Sequence, residues 1–190
     1  MMIKSRCAWC GEDPLYVSYH DKEWGVPVYS DDKLFEFLVL ETFQAGLSWI
    51  TILRKRENFR LAFDDFDYRK IAYYDEEKYK ALLLDAGIIR NKLKIRATIG
   101  NAQAFMQLQK KHGSFSNYFW EFSNHKPIQY QRQSLQDVPA TTPLSDKISK
   151  NLKKEGFKFV GSTVVYAYMQ AVGMVNDHVE DCFRNNEMMM

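Results

Sequence analysis

Glycine and proline are scarce in this sequence, with nine Gly and five Pro in 190 residues. So little turn punctuation argues against many short strands and favours long helices. Cysteine is scarcer still: three residues, with no charged-then-apolar leader ahead of them, which excludes a disulfide framework and makes a reducing cytoplasm the expected setting. A long apolar span is missing too. The one charge-free stretch, Phe159 to Asn176, covers 18 residues but holds Gly161, Ser162, Thr163, Gln170 and Gly173, which suits a buried core helix rather than a membrane span. Nor is there a strong excess of either charge. The 26 basic and 24 acidic residues leave a net +2, which excludes a protein that is basic overall but not one with a basic face.

Apolar and aromatic material is plentiful, at 46% hydrophobic with 13 Phe, 11 Tyr and 4 Trp. A chain of this length buries roughly 70% of its unfolded surface. One domain over residues 1–187 is expected, with Met188, Met189 and Met190 as a frayed tail. Asp13-Pro14 predicts a helix to about Lys22, which Gly25-Val26-Pro27 stops. Ser30 or Asp31 caps a second helix, with Leu34, Phe35, Phe37, Leu38, Leu40 and Ala45 as an apolar stripe ending near Gly46. A third covers Trp49 to Phe63, and a fourth runs from Asp75 to an αL cap at Gly87. A long helix follows from about Arg90 to Lys111, then a short one near Asn117 to Phe122. Asn124 to Pro143 reads as a long connection, before helices from Ser145 to Gly156 and from Ser162 to Val172. The fold is mainly α.

Four constellations could carry chemistry. His178 and Cys182 are four apart, on one face if the segment is helical, and Cys7, Cys10 and His20 offer further donors from the other end of the chain. That makes five candidates for the four places of a zinc site, and spacing alone would pair Cys7 with Cys10. Four protein ligands would make the metal structural; an open position would make it catalytic, with Glu41 as base to a metal-bound water. Glu41 is itself anomalous. It lies on the apolar stripe, with Phe37 and Leu38 a turn before and Ala45 a turn after, so a carboxylate there would lose hydration and is a candidate for binding or catalysis. Trp9, Tyr16, Tyr19, Trp24 and Trp49 form an aromatic set with polar handles, either core or the wall of a pocket for a flat or cationic ligand.

The fourth constellation is Leu83-Leu84-Asp85-Ala86-Gly87-Ile88-Ile89-Arg90-Asn91-Lys92, two helices joined by a tight apolar hairpin, at about residues 76–111. The free amides of the second helix, reinforced by Arg90 and Lys92, would receive a phosphate oxygen. From Ala86 to Trp120 there is no acid, while Arg90, Lys92, Lys94, Arg96, Lys110 and Lys111 supply six positive charges. A near-neutral total conceals a basic stretch suited to nucleic acid.

Taken in order, Asp13-Pro14-Leu15-Tyr16, Tyr19-His20-Asp21, Glu23-Trp24-Gly25-Val26-Pro27, Leu40-Glu41, Gln44-Ala45-Gly46-Leu47-Ser48-Trp49, Lys55-Arg56-Glu57-Asn58, Ala86-Gly87-Ile88-Ile89-Arg90, Gly156-Phe157-Lys158-Phe159-Val160-Gly161 and Val175-Asn176-Asp177-His178 resemble the DNA-3-methyladenine glycosylase I family. The likeness runs from Cys7 to Cys182. It implies a helix-hairpin-helix DNA glycosylase fold and a monofunctional enzyme of base-excision repair that removes 3-methyladenine from alkylated double-stranded DNA. It also implies a structural Zn2+ on Cys7, His20, His178 and Cys182, clasping the N- and C-terminal segments, with Cys10 left over. The family's base pocket carries over to Glu41, Tyr16 and Trp49, with Trp9 and Tyr19 beside them; Gly46, Leu47, Gly87, Ile88, Ile89, Arg90 and Lys92 would meet DNA. A monomer that binds no membrane is expected. The catalytic Asp that the wider superfamily places after its hairpin has no counterpart between Asp85 and Glu121. The rival reading is a zinc-clasped module of the same fold that binds damaged DNA without cutting it.

Overall fold

The computed structural model describes residues 4–187, so the expectation for Met188 to Met190 lies outside the described residues. The described residues form ten α-helices: α1 (Pro14–Lys22), α2 (Asp31–Gln44), α3 (Trp49–Ala62), α4 (Tyr68–Ile71), α5 (Glu76–Leu84), α6 (Lys92–His112), α7 (Phe115–Glu121), α8 (Pro143–Lys154), α9 (Ser162–Ala171) and α10 (Phe183–Glu187). The expected mainly α fold is what is seen. α2 is the central element, and every residue from Leu34 to Phe43 is buried. The expected stripe is thus a helix enclosed on all sides, as one surrounded by other helices must be. Around it pack α3, α6, α7 and α9, with Phe35 against Phe105 and the Tyr168 hydroxyl donating to the Leu34 carbonyl at 3.0 Å.

Capping residues set several boundaries. Asp13 accepts from the amides of Leu15 and Tyr16 with Pro14 at the first helical position, as expected of that pair. Asp31 caps a different helix from the one anticipated. Its carboxylate accepts from the amides of Phe115 and Ser116, at the start of α7, while Ser30 stands at the N-cap of α2 without a side-chain bond. α8 begins earlier than Ser145, because Thr142 caps it, Pro143 leads it and Ser145 completes the capping box.

The long connection between α7 and α8 contains order that no sequence pattern announced. Ile128–Gln129 (β1) pairs in parallel with Val175–Asn176 (β2), and an isolated bridge joins Arg132 to Val179. Two-residue strands are too short for alternation to register. This pairing lays the segment carrying His178 and Cys182 against the body of the protein. Gly173 makes the approach possible: its φ is +69, and a Cβ there would meet the Pro27 nitrogen at 2.4 Å. Val28 donates to the Val172 carbonyl at 3.0 Å, so the two ends of the chain meet beside the start of α2.

Candidate active site

Three helices and one short turn bring the expected pocket residues together. Tyr16 and Tyr19 project from one face of α1, Glu41 and Gln44 from the end of α2, Trp49 from the first turn of α3, and Trp9 from the 3-10 turn Ala8–Cys10. With Trp24 they line a cavity of about 560 Å³. Trp9 lies 5.0 Å from Tyr16 and 5.0 Å from Trp24, ring centre to ring centre, and Tyr19 lies 5.4 Å from Trp49. The far wall comes from Ala167 and Gln170 of α9, from Asp177, and from the loop Ser134 to Val138.

Three buried polar atoms in the wall of this cavity lack partners. Glu41 is 3% exposed, and neither its Oε2 nor the indole N–H of Trp9 or Trp49 meets a hydrogen-bonding group. Each such orphan costs about 1–3 kcal/mol. Burial alone pushes the Glu41 carboxyl up to about 8, and Tyr19 is raised well above its ordinary value by burial and the nearby Glu41 charge. A packed core would not leave a carboxyl and two indoles unsatisfied around empty space.

Cys7, His20, His178 and Cys182 converge as expected, all buried, with their donor atoms within 4.8 Å of one another. Cys182 Sγ lies 3.4 Å from His20 Nε2 and 3.4 Å from His178 Nδ1, and Cys7 Sγ lies 3.6 Å from His178 Nδ1. A tetrahedral zinc with Zn–N and Zn–S bonds of 2.0–2.3 Å requires donor separations of roughly 3.3–3.8 Å, and these three separations fall within that range. The outer nitrogens are tied as well: His20 Nδ1 lies 2.8 Å from Asp21, which Arg6 holds with two bonds, and His178 Nε2 lies 3.2 Å from the Trp24 carbonyl. Such contacts fix the ring faces that donate inward. His178 and Cys182 meet through a turn, with the Cys182 amide donating to the Val179 carbonyl, and not through the helix their spacing had suggested. Cys10 faces the carbonyls of Cys7 and Gly11 and stays outside the group. Four protein donors leave no open position, and Glu41 is not among them, which disfavours a zinc-activated water.

The hairpin differs from its expected form. α5 ends at Leu84, and Gly87 has no positive φ; what requires glycine is crowding, since a Cβ would meet Asp85 Oδ1 at 2.9 Å and Asn58 Cβ at 3.1 Å. Lys55 donates to the carbonyls of Ala86 and Gly87, pinning the hairpin to α3. Ile88 is core, Ile89 is half-buried, and Arg90 and Lys92 are exposed. α6 starts after Asn91, whose side chain accepts from the Leu93 and Lys94 amides. Two of the amides expected to await phosphate are therefore occupied, whereas those of Ile89 and Arg90 have no internal acceptor among the described residues.

The acid-free stretch is not acid-free in space. Arg96 pairs with Glu76 and Lys111 with Glu155, while Lys94 points inward to the carbonyls of Phe43 and Ala45. Arg90, Lys92 and Lys110 remain without an acidic partner among the described residues. Gly46, at φ +83, and Leu47, 40% exposed, form an exposed turn between the cavity residues Gln44 and Trp49. Sequence reasoning missed Gln44, although it lies three positions after Glu41 on the same helical face, and it missed the 134–138 wall, which carries no local signal.

The profile of the methyladenine glycosylase family matches residues 9–185. DNA-3-methyladenine glycosylase 1 of Escherichia coli K12 is 52% identical over 93% of this chain and 95% of its own length. A crystal structure of a 3-methyladenine DNA glycosylase I superposes with a TM-score of 0.92 at 50% identity, covering 94% of this chain and 98% of that one. The Staphylococcus aureus 3-methyladenine DNA glycosylase I, solved to explain 3-methyladenine recognition, also gives 0.92, at 36% identity over 95% of this chain and 96% of that one. Matched in sequence and in fold over more than nine tenths of its length, the chain belongs to the methyladenine glycosylase family.

Proposed function

We propose that this glycosylase hydrolyses the N-glycosidic bond of 3-methyladenine in alkylated double-stranded DNA, turning the lesion out of the duplex and into the Glu41 cavity. The observation that carries the reading is the unpaired Glu41 carboxyl among aromatic faces. A planar, cationic base with an exocyclic amine satisfies all three features: rings stack on Tyr16 and Trp49, the π faces attract the charge, and Glu41 accepts the hydrogen bond. Methylation at N3 places the positive charge on the base, so cleavage of the N9–C1′ bond releases a neutral leaving group. Water then adds to C1′ and loses a proton, which leaves an abasic site. Little acid–base assistance is needed, and unmodified adenine both binds less well and leaves more slowly. The cationic base lowers the Glu41 pKa as it enters, the proton passes to solvent, and the resulting carboxylate further favours the positive charge as it passes to the sugar. Among the described residues no lysine lines the cavity, which agrees with a monofunctional enzyme, since a lyase requires an amine nucleophile.

Cys7, His20, His178 and Cys182 hold a structural zinc that fastens the two chain ends behind the aromatic wall and takes no part in the reaction. The α5–α6 hairpin acts as the helix-hairpin-helix: Ile88 anchors it, while Gly87, Ile89, Arg90 and Lys92 meet a phosphate. Gly46 and Leu47 fill the gap left by the flipped nucleotide. The protein acts as a monomer, in the cytoplasm with the DNA. Incubation with methylated duplex, followed by heating and gel separation, tests the reading. Heat-dependent breaks are expected; breaks without heat would make it a lyase, and binding without breaks would make it a recognition module.

A further inference from the structure

Lys94 is the one lysine of the basic stretch that is buried, at 6% exposure. Among the described residues no carboxylate pairs with it. Its ammonium instead donates to the carbonyls of Phe43 at 2.9 Å and Ala45 at 2.8 Å, and burial draws its pKa down. An ammonium removed from water without a counter-ion is costly, so the position calls for an explanation. The accepting carbonyls belong to the end of α2, which has no basic residue in its last turn and whose C-cap residue makes no backbone closing bond. Lys94 supplies from another helix the positive charge that the end of a helix attracts.

The location matters because of what lies on either side. Directly after Ala45 the chain turns through Gly46 and exposed Leu47, then enters α3 at Trp49. Directly before Lys94 stand Asn91, which caps α6, and exposed Arg90 and Lys92 of the hairpin. One side chain therefore joins the end of the helix bearing Glu41, and the exposed turn that follows it, to the start of α6. Lys55 and Asn58 of α3 also tether the hairpin, but they donate to its own carbonyls and not to those of this turn.

We infer that Lys94 is a positioning residue, holding the Ala45–Ser48 turn in register with the hairpin so that backbone binding delivers Leu47 to the base step being opened. The inference rests on the proposed excision. It separates three properties that a purely structural lysine would lose together: binding of the free base, binding of the duplex, and extrusion of the lesion.

The test uses the full chain with Lys94→Met, which keeps the stem but removes the cation, and Lys94→Arg, which restores one. Single-turnover excision is measured on duplex carrying 3-methyladenine opposite thymine, and on the same duplex with a baseless residue opposite the lesion, where little must be opened. Affinity for free 3-methyladenine, read from tryptophan fluorescence, and affinity for undamaged duplex are measured in parallel. For Lys94→Met both affinities are expected to stay within about twofold of the parent, while excision opposite thymine falls on the order of 10- to 100-fold, as a misplaced group far from the reacting bond can cause. The baseless opposite should recover most of that loss, and Lys94→Arg should recover part of it on the paired substrate. Equal loss on both substrates, loss of free-base affinity, or unchanged excision would each overturn the inference. A parent protein that excises neither substrate would overturn the excision reading itself.

Discussion

Glu36 and Glu41 lie on the same helix, are both buried, and are treated in opposite ways. Glu36 accepts from Arg56 at 2.8 Å, from Arg60 at 2.6 Å and from Lys33 at 2.8 Å. Burial works to raise its pKa, but the Arg56 charge and the Lys33 hydrogen bond outweigh it and hold the carboxyl below its ordinary value. Glu41 has no cation beside it, and burial alone raises it to about 8. A carboxylate whose partners come from the chain serves the fold, and one whose partners are missing is available to a ligand. One helix thus carries a closed ionic cluster and an open receptor, with Phe37, Leu38, Val39 and Leu40 packed between them.

Removing each carboxyl in turn should separate the two roles. Glu36→Gln leaves Arg60 without its buried partner and is expected to lower stability by about 3 kcal/mol, measured by urea denaturation, with the excision rate of the folded fraction unchanged. Glu41→Gln should do the reverse. Excision of 3-methyladenine is expected to fall on the order of 100-fold, equivalent to about 2.7 kcal/mol of transition-state stabilisation, while the midpoint of denaturation holds or rises and duplex affinity survives. Parallel loss of stability and activity in either variant would erase the distinction.

The dependence on pH should differ in sign. Between the ordinary carboxyl value of 4.5 and about 8, folded Glu41 keeps a proton that the unfolded chain has released. Its contribution is therefore complete at low pH and is lost as pH rises, by up to about 1.4 kcal/mol per unit. Glu36 is ionised in the folded protein at pH values where the unfolded chain takes up a proton, so its contribution is present above 4.5 and disappears as pH falls through its lowered folded value. Melting curves of the parent and the two Gln variants, taken from well below the ordinary carboxyl value of 4.5 to above about 8, should show the Glu41 difference developing as pH rises towards about 8 and the Glu36 difference vanishing as pH falls below 4.5. The smallest effect is expected far from both groups. Replacing Arg90 and Lys92 by Gln should lessen the salt dependence of duplex binding by about one unit of slope per lost phosphate contact, without changing free-base affinity.

Much of this arrangement was legible in the sequence, for identifiable reasons. Asp13-Pro14 marked the start of α1 because capping and fixed φ act locally. Glu41 stood out because a carboxyl on an apolar face is an anomaly that spacing alone reveals. The candidate metal ligands could be gathered from spacing only as a set of five, since whether Cys10 joins depends on how its turn directs the thiol. Lys94 could not be told from its neighbours, because its partners are carbonyls about fifty positions away, and Arg96 and Lys111 find acids outside the stretch that looked acid-free. Glu36 was passed over for the same reason: Arg56 and Arg60, which close its cluster, come from another helix. Local chemistry shows in a sequence, and pairing across the fold does not.

The central claim is that the open carboxyl and its aromatic surround receive one cationic base and release it. Chromatography of the bases freed from duplex DNA treated with a methylating agent tests this directly, because such DNA offers 3-methyladenine, 7-methylguanine and unmodified bases together. The account requires free 3-methyladenine to dominate the released fraction, with neither adenine nor a strand-cleaved product beside it. Duplex binding with no base released, or release of adenine at a comparable rate, would contradict it.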